Sequence, residues 1–175
     1  MKPFFIYLIG ISGSGKTTIA IELEKRLQNR GIEKLQFIDG DVIRDELSNI
    51  FGYTFDERMK NNKVVCVVAS YLIRNGISVI LTQVAAYKKM RDQVRSFFSD
   101  SYVEVYVKCS EKECARRDVK GYYNNAKDGK MNNLNGFNDE YEVPQNSSVI
   151  VDTEKMSVEE CVDRIMEYLE INYGV

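Results

Sequence analysis

Gly10-Ile11-Ser12-Gly13-Ser14-Gly15-Lys16-Thr17 has the form GxxxxGK[ST], and it follows directly on an apolar run, Phe4 to Ile9. The residues after it, Thr18-Ile19-Ala20-Ile21-Glu22-Leu23, read as the start of a helix. Strand, glycine-rich turn and helix together are the setting in which this pattern wraps a chain of phosphates. Glycines let backbone N–H groups turn inward around the anion, Lys16 reaches the β- and γ-phosphates, and the Thr17 hydroxyl suits Mg²⁺. The positive end of the following helix faces the same anion. Gly10, Ser12, Gly13, Ser14, Gly15, Lys16, Thr17 and Thr18 are therefore the expected triphosphate-binding element, with ATP and Mg²⁺ as the expected ligand and cofactor.

Working outward, strand-like and helix-like segments alternate. Lys16 to Arg30 carries Ile19, Ala20, Leu23 and Leu27 at helical spacing and ends at Gly31. Leu35 to Ile38 is a short strand stopping at Asp39-Gly40-Asp41, and a short helix follows through Val42, Ile43 and Leu47. Asp56 to Asn75 reads as a long helix closed by Gly76, and Ile77 to Leu81 as a buried strand. A helix over Lys88–Phe98, a strand over Tyr102–Val107, a helix from Glu111 to Asp118, a strand over Val149–Val151 and an amphipathic helix over Ser157–Leu169 complete the chain. The pattern predicts an α/β fold in three layers: a five-stranded parallel sheet between helices, with right-handed crossovers. Residues 1–175 read as one P-loop domain. The asparagine-rich stretch from Tyr122 to Val143 is too long for an ordinary connection, so a mobile lid is expected over about 111–143. Ligands of such sheets collect where the strands end, which gathers the glycine loop, Asp39-Gly40-Asp41, Thr82-Gln83 and Lys108 on one face.

Composition narrows the class. A chain of 175 residues, 44% apolar and 29% charged, is ordinary for a globular domain. A net charge of −2 argues against nonspecific nucleic-acid binding. The four cysteines show no CxxC pair, and the absence of histidine removes imidazole ligands and bases. No apolar run approaches the roughly 20 residues of a membrane span, and Met1-Lys2-Pro3 runs straight into the first strand, so a reduced, cytoplasmic protein without a signal peptide is expected. Asn62-Lys63-Val64-Val65 lacks the aspartate of a guanine-reading NKxD element. Leu81 leads into Thr82-Gln83 rather than into the acidic residue of motor ATPases. Asp39 and Asp41 are the nearest suitable acids.

Phe37-Ile38-Asp39-Gly40-Asp41-Val42-Ile43-Arg44 resembles the [LF]-x-D-G-D-x-[IV]-R element of adenylylsulfate (APS) kinases. Asp56-Glu57-Arg58 with Asn61 is similar to the family's D-R-x-E-N, Tyr87 with Arg91 to S-P-Y-R-x-x-R, and Cys114 to Tyr123 to C-E-x-R-D-x-K-G-L-Y. Asn135-Gly136-Phe137-Asn138 with Tyr141-Glu142-Val143-Pro144 resembles T-G-I-D-x-P-Y-E-x-P. These matches run in order along nearly the whole chain.

The resemblance implies transfer of the ATP γ-phosphate to a nucleotide ribose 3′-hydroxyl. It assigns catalytic work to Asp41, Lys16 and Asp39, with Thr17 and Asp39 as Mg²⁺ ligands and Arg117 and Lys120 over the ATP phosphates. Acceptor contacts fall to Asp41, Arg44, Tyr53, Arg58, Asn61, Val84, Ala85, Tyr87, Lys120, Leu134 and Phe137. Small-molecule nucleotides are the implied partners, with a homodimer to which the apolar Val64–Leu72 face could contribute.

Departures from the family pattern gather on the acceptor side. S-P-Y-R reads Ala85-Ala86-Tyr87-Lys88, Lys60 replaces a glutamate, and Lys63 and Val64 replace arginines. The two aromatic clamps read Leu134, in Leu134-Asn135-Gly136-Phe137-Asn138, and Tyr53, in Gly52-Tyr53-Thr54. Replacing an aromatic clamp with leucine costs roughly 1–3 kcal/mol of stacking. This clustering favours an altered acceptor, cytidine diphosphoramidate, with adenylyl sulfate as the alternative. A nonenzymatic nucleotide-binding module and a small-metabolite kinase are the remaining readings.

Overall fold

The apolar run before the glycine loop becomes β1 (Phe5–Ile9), whose five residues are all buried. The computed structural model describes residues 2–175. With β2 (Leu35–Asp39), β3 (Ser78–Gln83), β4 (Tyr102–Lys108) and β5 (Val149–Asp152), β1 forms a five-stranded sheet in the order β2-β3-β1-β4-β5. Every pairing is parallel. Central strands of such a sheet are covered on both faces, which is why β1 and β3 show no polar alternation.

Successive side chains of β1 point to opposite faces. Ile6 and Leu8 pack with Ile19, Leu23 and Leu27 of α1 (Lys16–Asn29) and with Val162, Ile165 and Leu169 of α7 (Val158–Tyr173). Phe5, Tyr7 and Ile9 pack with Val65, Cys66 and Ala69 of α3 (Phe55–Arg74) and with Val94 and Phe98 of α4 (Lys88–Phe98). Sequence signals fix the helix starts. Thr54 with Glu57 forms a capping box at α3, and Ser157 with Glu160 forms one at α7. α2 (Gly40–Glu46) starts at the Asp39-Gly40-Asp41 turn, capped by the Asp39 carboxylate.

Register brings the chemistry to one rim. Ile9 lies opposite Gln83, and Asp39 opposite Thr82. The glycine loop, the twin-aspartate turn and Val84 therefore leave the sheet side by side.

The structure departs from the sequence reading in two stretches. Residues 122–143 contain α6 (Tyr122–Lys127) and a bridge between Asn135 and Asp139, and they follow α5 (Glu111–Arg117). Tyr123, Ala126 and Leu134 are buried there against Ile11 and Cys114. These apolar residues are spaced by polar ones and show no period. They form a cluster only because the chain folds back over the phosphate loop. α7 also runs four residues beyond Leu169, to Tyr173, whose ring meets Phe4 edge-on at 5.7 Å. The four cysteines are buried free thiols. Among the described residues no helix is long and apolar enough to cross a membrane.

Candidate active site

The donor half grows out of β1. Gly10 has φ +153°, and a Cβ there would lie 2.4 Å from the Val107 carbonyl oxygen, so the chain can turn into the loop only at glycine. Lys16 is buried, and its Nζ donates to the carbonyls of Gly10 and Ile11, each at 2.8 Å. Burial pushes its ammonium down to about 8, against the opposing pull of Asp41. Arg117, at the end of α5, is held by Glu113 at 2.9 Å and by the Thr153 carbonyl at 2.9 Å. The Thr153 hydroxyl accepts from Arg117 at 3.1 Å and donates to the Ser14 carbonyl at 2.9 Å. Thr153 thus fastens the arginine to the phosphate loop. The resulting cavity, about 390 Å³, is lined by Ser12, Gly13, Gly15, Lys16, Thr17, Thr18, Asp41, Arg117, Lys120, Thr153, Met156 and Val158, among others. That volume lies within the range of nucleotide-sized sites.

Oxygen ligands for a cation stand at its edge. The Thr17 hydroxyl donates to Asp39 Oδ2 at 3.1 Å, while Asp39 Oδ1 accepts from the Asp41 N–H at 2.9 Å. Among the described residues no cluster of three acidic, cysteine or histidine side chains offers an all-protein metal cage. The Thr17–Asp39 pair fits Mg²⁺, which takes few protein oxygens and completes its shell with water and substrate phosphates.

The acceptor half lies across Asp41, between β3, α2, α3 and the 122–143 segment. Its cavity is lined by Asp41, Arg44, Tyr53, Arg58, Gln83, Val84, Ala85, Met90, Leu134 and Asn135, among others. Gly40 is obligatory here, since a Cβ would sit 2.3 Å from the Thr82 carbonyl oxygen. Ala85 adopts a left-handed φ of 48°, a strained backbone for a residue with a Cβ. The buried Arg91 guanidinium holds it by donating to the Ala85 carbonyl at 2.8 Å. Arg44 and Arg58 lie 5.2 and 5.4 Å from the Tyr53 ring centre. Arg58 also donates to the carbonyls of Tyr53 at 2.8 Å and Asn133 at 3.0 Å, tying the α3 approach to the far segment. Its own pKa is lowered, first by burial and then by Arg44.

Ser12 and Asp41 line both cavities. Lys120 reaches across from the donor side and forms an ion pair with the Asp41 carboxylate. Burial alone would lower the Lys120 pKa, but the hydrogen bond and charge of Asp41 outweigh it and raise the ammonium above its ordinary range. The acceptor cavity measures about 110 Å³, well under the roughly 300 Å³ at which ligand pockets begin.

Most of the expected site residues meet at this rim. Gly10 and Ser14 shape the loop from behind, and Ser14 Oγ is buried without a hydrogen-bond partner. Asn61 is buried, lines neither cavity and has its Nδ2 unpartnered. Tyr87 and Phe137 line neither cavity. The Tyr87 hydroxyl donates to Asp139 at 3.4 Å, and Phe137 packs edge-on against Tyr123 at 5.7 Å. Thr153, Met156 and Val158 escaped the sequence reading on the donor side, and Met131 and Asn133 on the acceptor side, while Gln83, expected on this rim, lines the acceptor cavity. Thr153 directly follows β5, so the strand-end rule could have found it. Met131 and Asn133 carry no local signal.

A phosphate loop opening onto one cavity, with a second cavity meeting it at a carboxylate, defines an ATP-dependent kinase of the P-loop class. The profile of the family "Adenylylsulphate kinase" matches residues 2–152. The chain is 38% identical over 164 residues to the adenylyl-sulfate kinase of Clostridium kluyveri, covering 94% of this chain and 82% of that one. It is 39% identical over 161 residues to a probable adenylyl-sulfate kinase of Aeropyrum pernix, covering 90% and 87%. Its fold superposes on the Mycobacterium tuberculosis APS kinase, solved in complex with AMPPNP and APS, with a TM-score of 0.90 at 27% identity over 97% of this chain and 98% of that one. The chain belongs to the adenylylsulphate kinase family.

These relatives overturn the expectation of a cytidine diphosphoramidate acceptor, because proteins this similar over most of the chain are named adenylyl-sulfate kinases. Lys60, Lys63, Val64 and Lys88 are exposed and line neither cavity, whereas Tyr53, Ala85, Ala86 and Leu134 line the acceptor cavity. Ala86 leaves the polar work of its turn to its carbonyl, which with that of Ala85 faces Arg91.

Proposed function

We propose that this protein transfers the γ-phosphate of ATP to the 3′-hydroxyl of adenylyl sulfate, giving ADP and 3′-phosphoadenylyl sulfate. The observation that carries this reading is the meeting of the two cavities at Asp41, within a chain whose relatives bear that activity in their names. In this reading Lys16 and Arg117 bind the ATP phosphates, and Thr17 and Asp39 hold Mg²⁺, which neutralises phosphate charge when bound. Asp41 accepts the proton of the attacking hydroxyl once Lys120 leaves it for the phosphates. Phosphoryl transfer needs little beyond this positioning and charge neutralisation. Arg44 and Arg58, which line the acceptor cavity, orient the acceptor's anionic groups. The 111–143 region acts as the lid of a one-domain enzyme.

The test is ADP release with purified protein, ATP, Mg²⁺ and adenylyl sulfate, with formation of the 3′-phosphorylated product followed chromatographically. Turnover on a non-nucleotide alcohol, and none on adenylyl sulfate, would overturn the reading. Pairing of two copies is proposed through α3, where Val64, Val67, Val68 and Tyr71 are exposed at helical spacing. Sedimentation velocity of wild type and Val68→Glu checks this. A monomeric wild type excludes it.

A further inference from the structure

We propose that Gln83 reads the acceptor's sugar, presenting an amide N–H to the ribose hydroxyl next to the one phosphorylated, and that Tyr7 is the positioning residue that aims it. This rests on the functional reading above and deepens it, because Gln83 has so far only lined the cavity and Tyr7 has been given no part in the site.

Gln83 ends β3 in register with Ile9 and lines the acceptor cavity while only 8% exposed. From the floor of the sheet, the fully buried Tyr7 hydroxyl donates to Gln83 Oε1 at 2.5 Å. Among the described residues that hydroxyl has no other partner, so donation to the amide oxygen is the arrangement that uses its proton. Burial keeps the phenol protonated well above its ordinary range, and the donor therefore persists at every working pH. With Oε1 held inward, the amide –NH₂ is turned the other way. It has no protein partner among the described residues and is not sealed from the cavity.

Place and chemistry identify what it meets. The missing Cβ of Gly40 would lie 3.3 Å from Gln83 Cβ and Cγ, so the side-chain stem is wedged beside the Asp39-Gly40-Asp41 turn. Asp41 is the group that faces the reacting hydroxyl in the reading above. The cavity's arginines are anchored by the carbonyls of Gly52, Tyr53 and Asn133, and their remaining N–H donors are charged groups suited to the acceptor's anions rather than to a neutral oxygen. A neutral donor fixed next to the reacting hydroxyl suits a neutral oxygen, which on a ribose is the vicinal 2′-hydroxyl. A site built around such a bond rejects the analogue lacking it, because its buried donor is then left unpaired.

The test compares adenylyl sulfate with its 2′-deoxy analogue, both as substrates and as ligands in calorimetry, for wild type, Gln83→Met, Tyr7→Phe and the double variant. Wild type is expected to favour the ribonucleotide by about tenfold or more in kcat/KM. Gln83→Met keeps the length of the side chain, should bring the preference to within about twofold, and should leave KM for ATP unchanged. Tyr7→Phe should raise KM for the ribonucleotide with kcat nearly constant. It should add nothing in the Gln83→Met background, an absence of additivity that a merely structural tyrosine would not show. A preference intact in Gln83→Met, or an equal loss for both nucleotides, overturns the assignment. If wild type turns over no adenylyl sulfate, the functional reading falls, and the calorimetric preference still decides the role of Gln83. Absence of any binding sinks both. Should Gln83→Met fail to fold, Tyr7→Phe alone decides, because an unchanged KM there removes the positioning role.

Discussion

Asp41 holds the acceptor side and the donor side together, and its replacement separates binding from chemistry. Asp41→Asn keeps shape and N-terminal helix position but cannot take up a proton. Loss of a general base costs about 10²–10⁴ in rate. The expected result is a fall of that order in kcat with KM for ATP changed little, read by steady-state kinetics. Lys16 predicts a pH effect. Its folded-state pKa is lowered from 10.5 to about 8, so the free protein carries the cost of a buried charge below pH 8 and sheds it as pH rises toward 10.5. Bound triphosphate restores the charge. ATP binding at pH 9 should therefore take up protons and weaken as pH rises, which calorimetry in two buffers of different ionisation enthalpy measures. Binding without proton uptake would show that burial does not discharge this lysine.

At the scale of elements, the turn between β2 and α2 and the end of β5 do work that single residues cannot. In Gly40→Ala the new methyl meets the Thr82 carbonyl 2.3 Å away, so α2 must lift off β3 and carry Asp41 with it. Overpacking of this kind costs about 1–3 kcal/mol. The melting temperature should fall, and turnover should drop while ATP still binds. Thr153→Val preserves volume but removes the hydroxyl between the Ser14 carbonyl and Arg117. Leaving such groups unpaired costs about 1–3 kcal/mol, so ATP affinity should weaken by roughly tenfold by isothermal titration. These elements were unequally legible. Gly10 to Thr17 announced itself, because local geometry demands particular residue types there. α6 did not, because its six residues are held by contacts to Ile11 and Cys114 rather than by a periodic face.

Across the whole molecule, stability resides in the core of the sheet. Leu8→Ala, at the fully buried centre of the sheet, should cost about 2–5 kcal/mol in denaturant unfolding. The small acceptor cavity predicts that hydrogen exchange over residues 128–141 is faster in the free protein than with both nucleotides bound, whereas β1 and β3 stay protected in both. Equal exchange in the two states would mean that the segment does not open to admit a nucleotide. By itself the chain dictated the strand–loop–helix, the alternation that makes the sheet parallel, and the rim on which Asp39, Asp41 and Lys16 gather. Periodicity, caps and glycine requirements act over a few residues and can be read in line. Only tertiary structure decided that Lys120 would cover Asp41, that Tyr87 and Phe137 would stand outside the lining of the acceptor cavity, and that Tyr7 would grip Gln83. Lys120 and Asp41 stand 79 positions apart and Tyr7 and Gln83 76, and no local rule carries information over that distance.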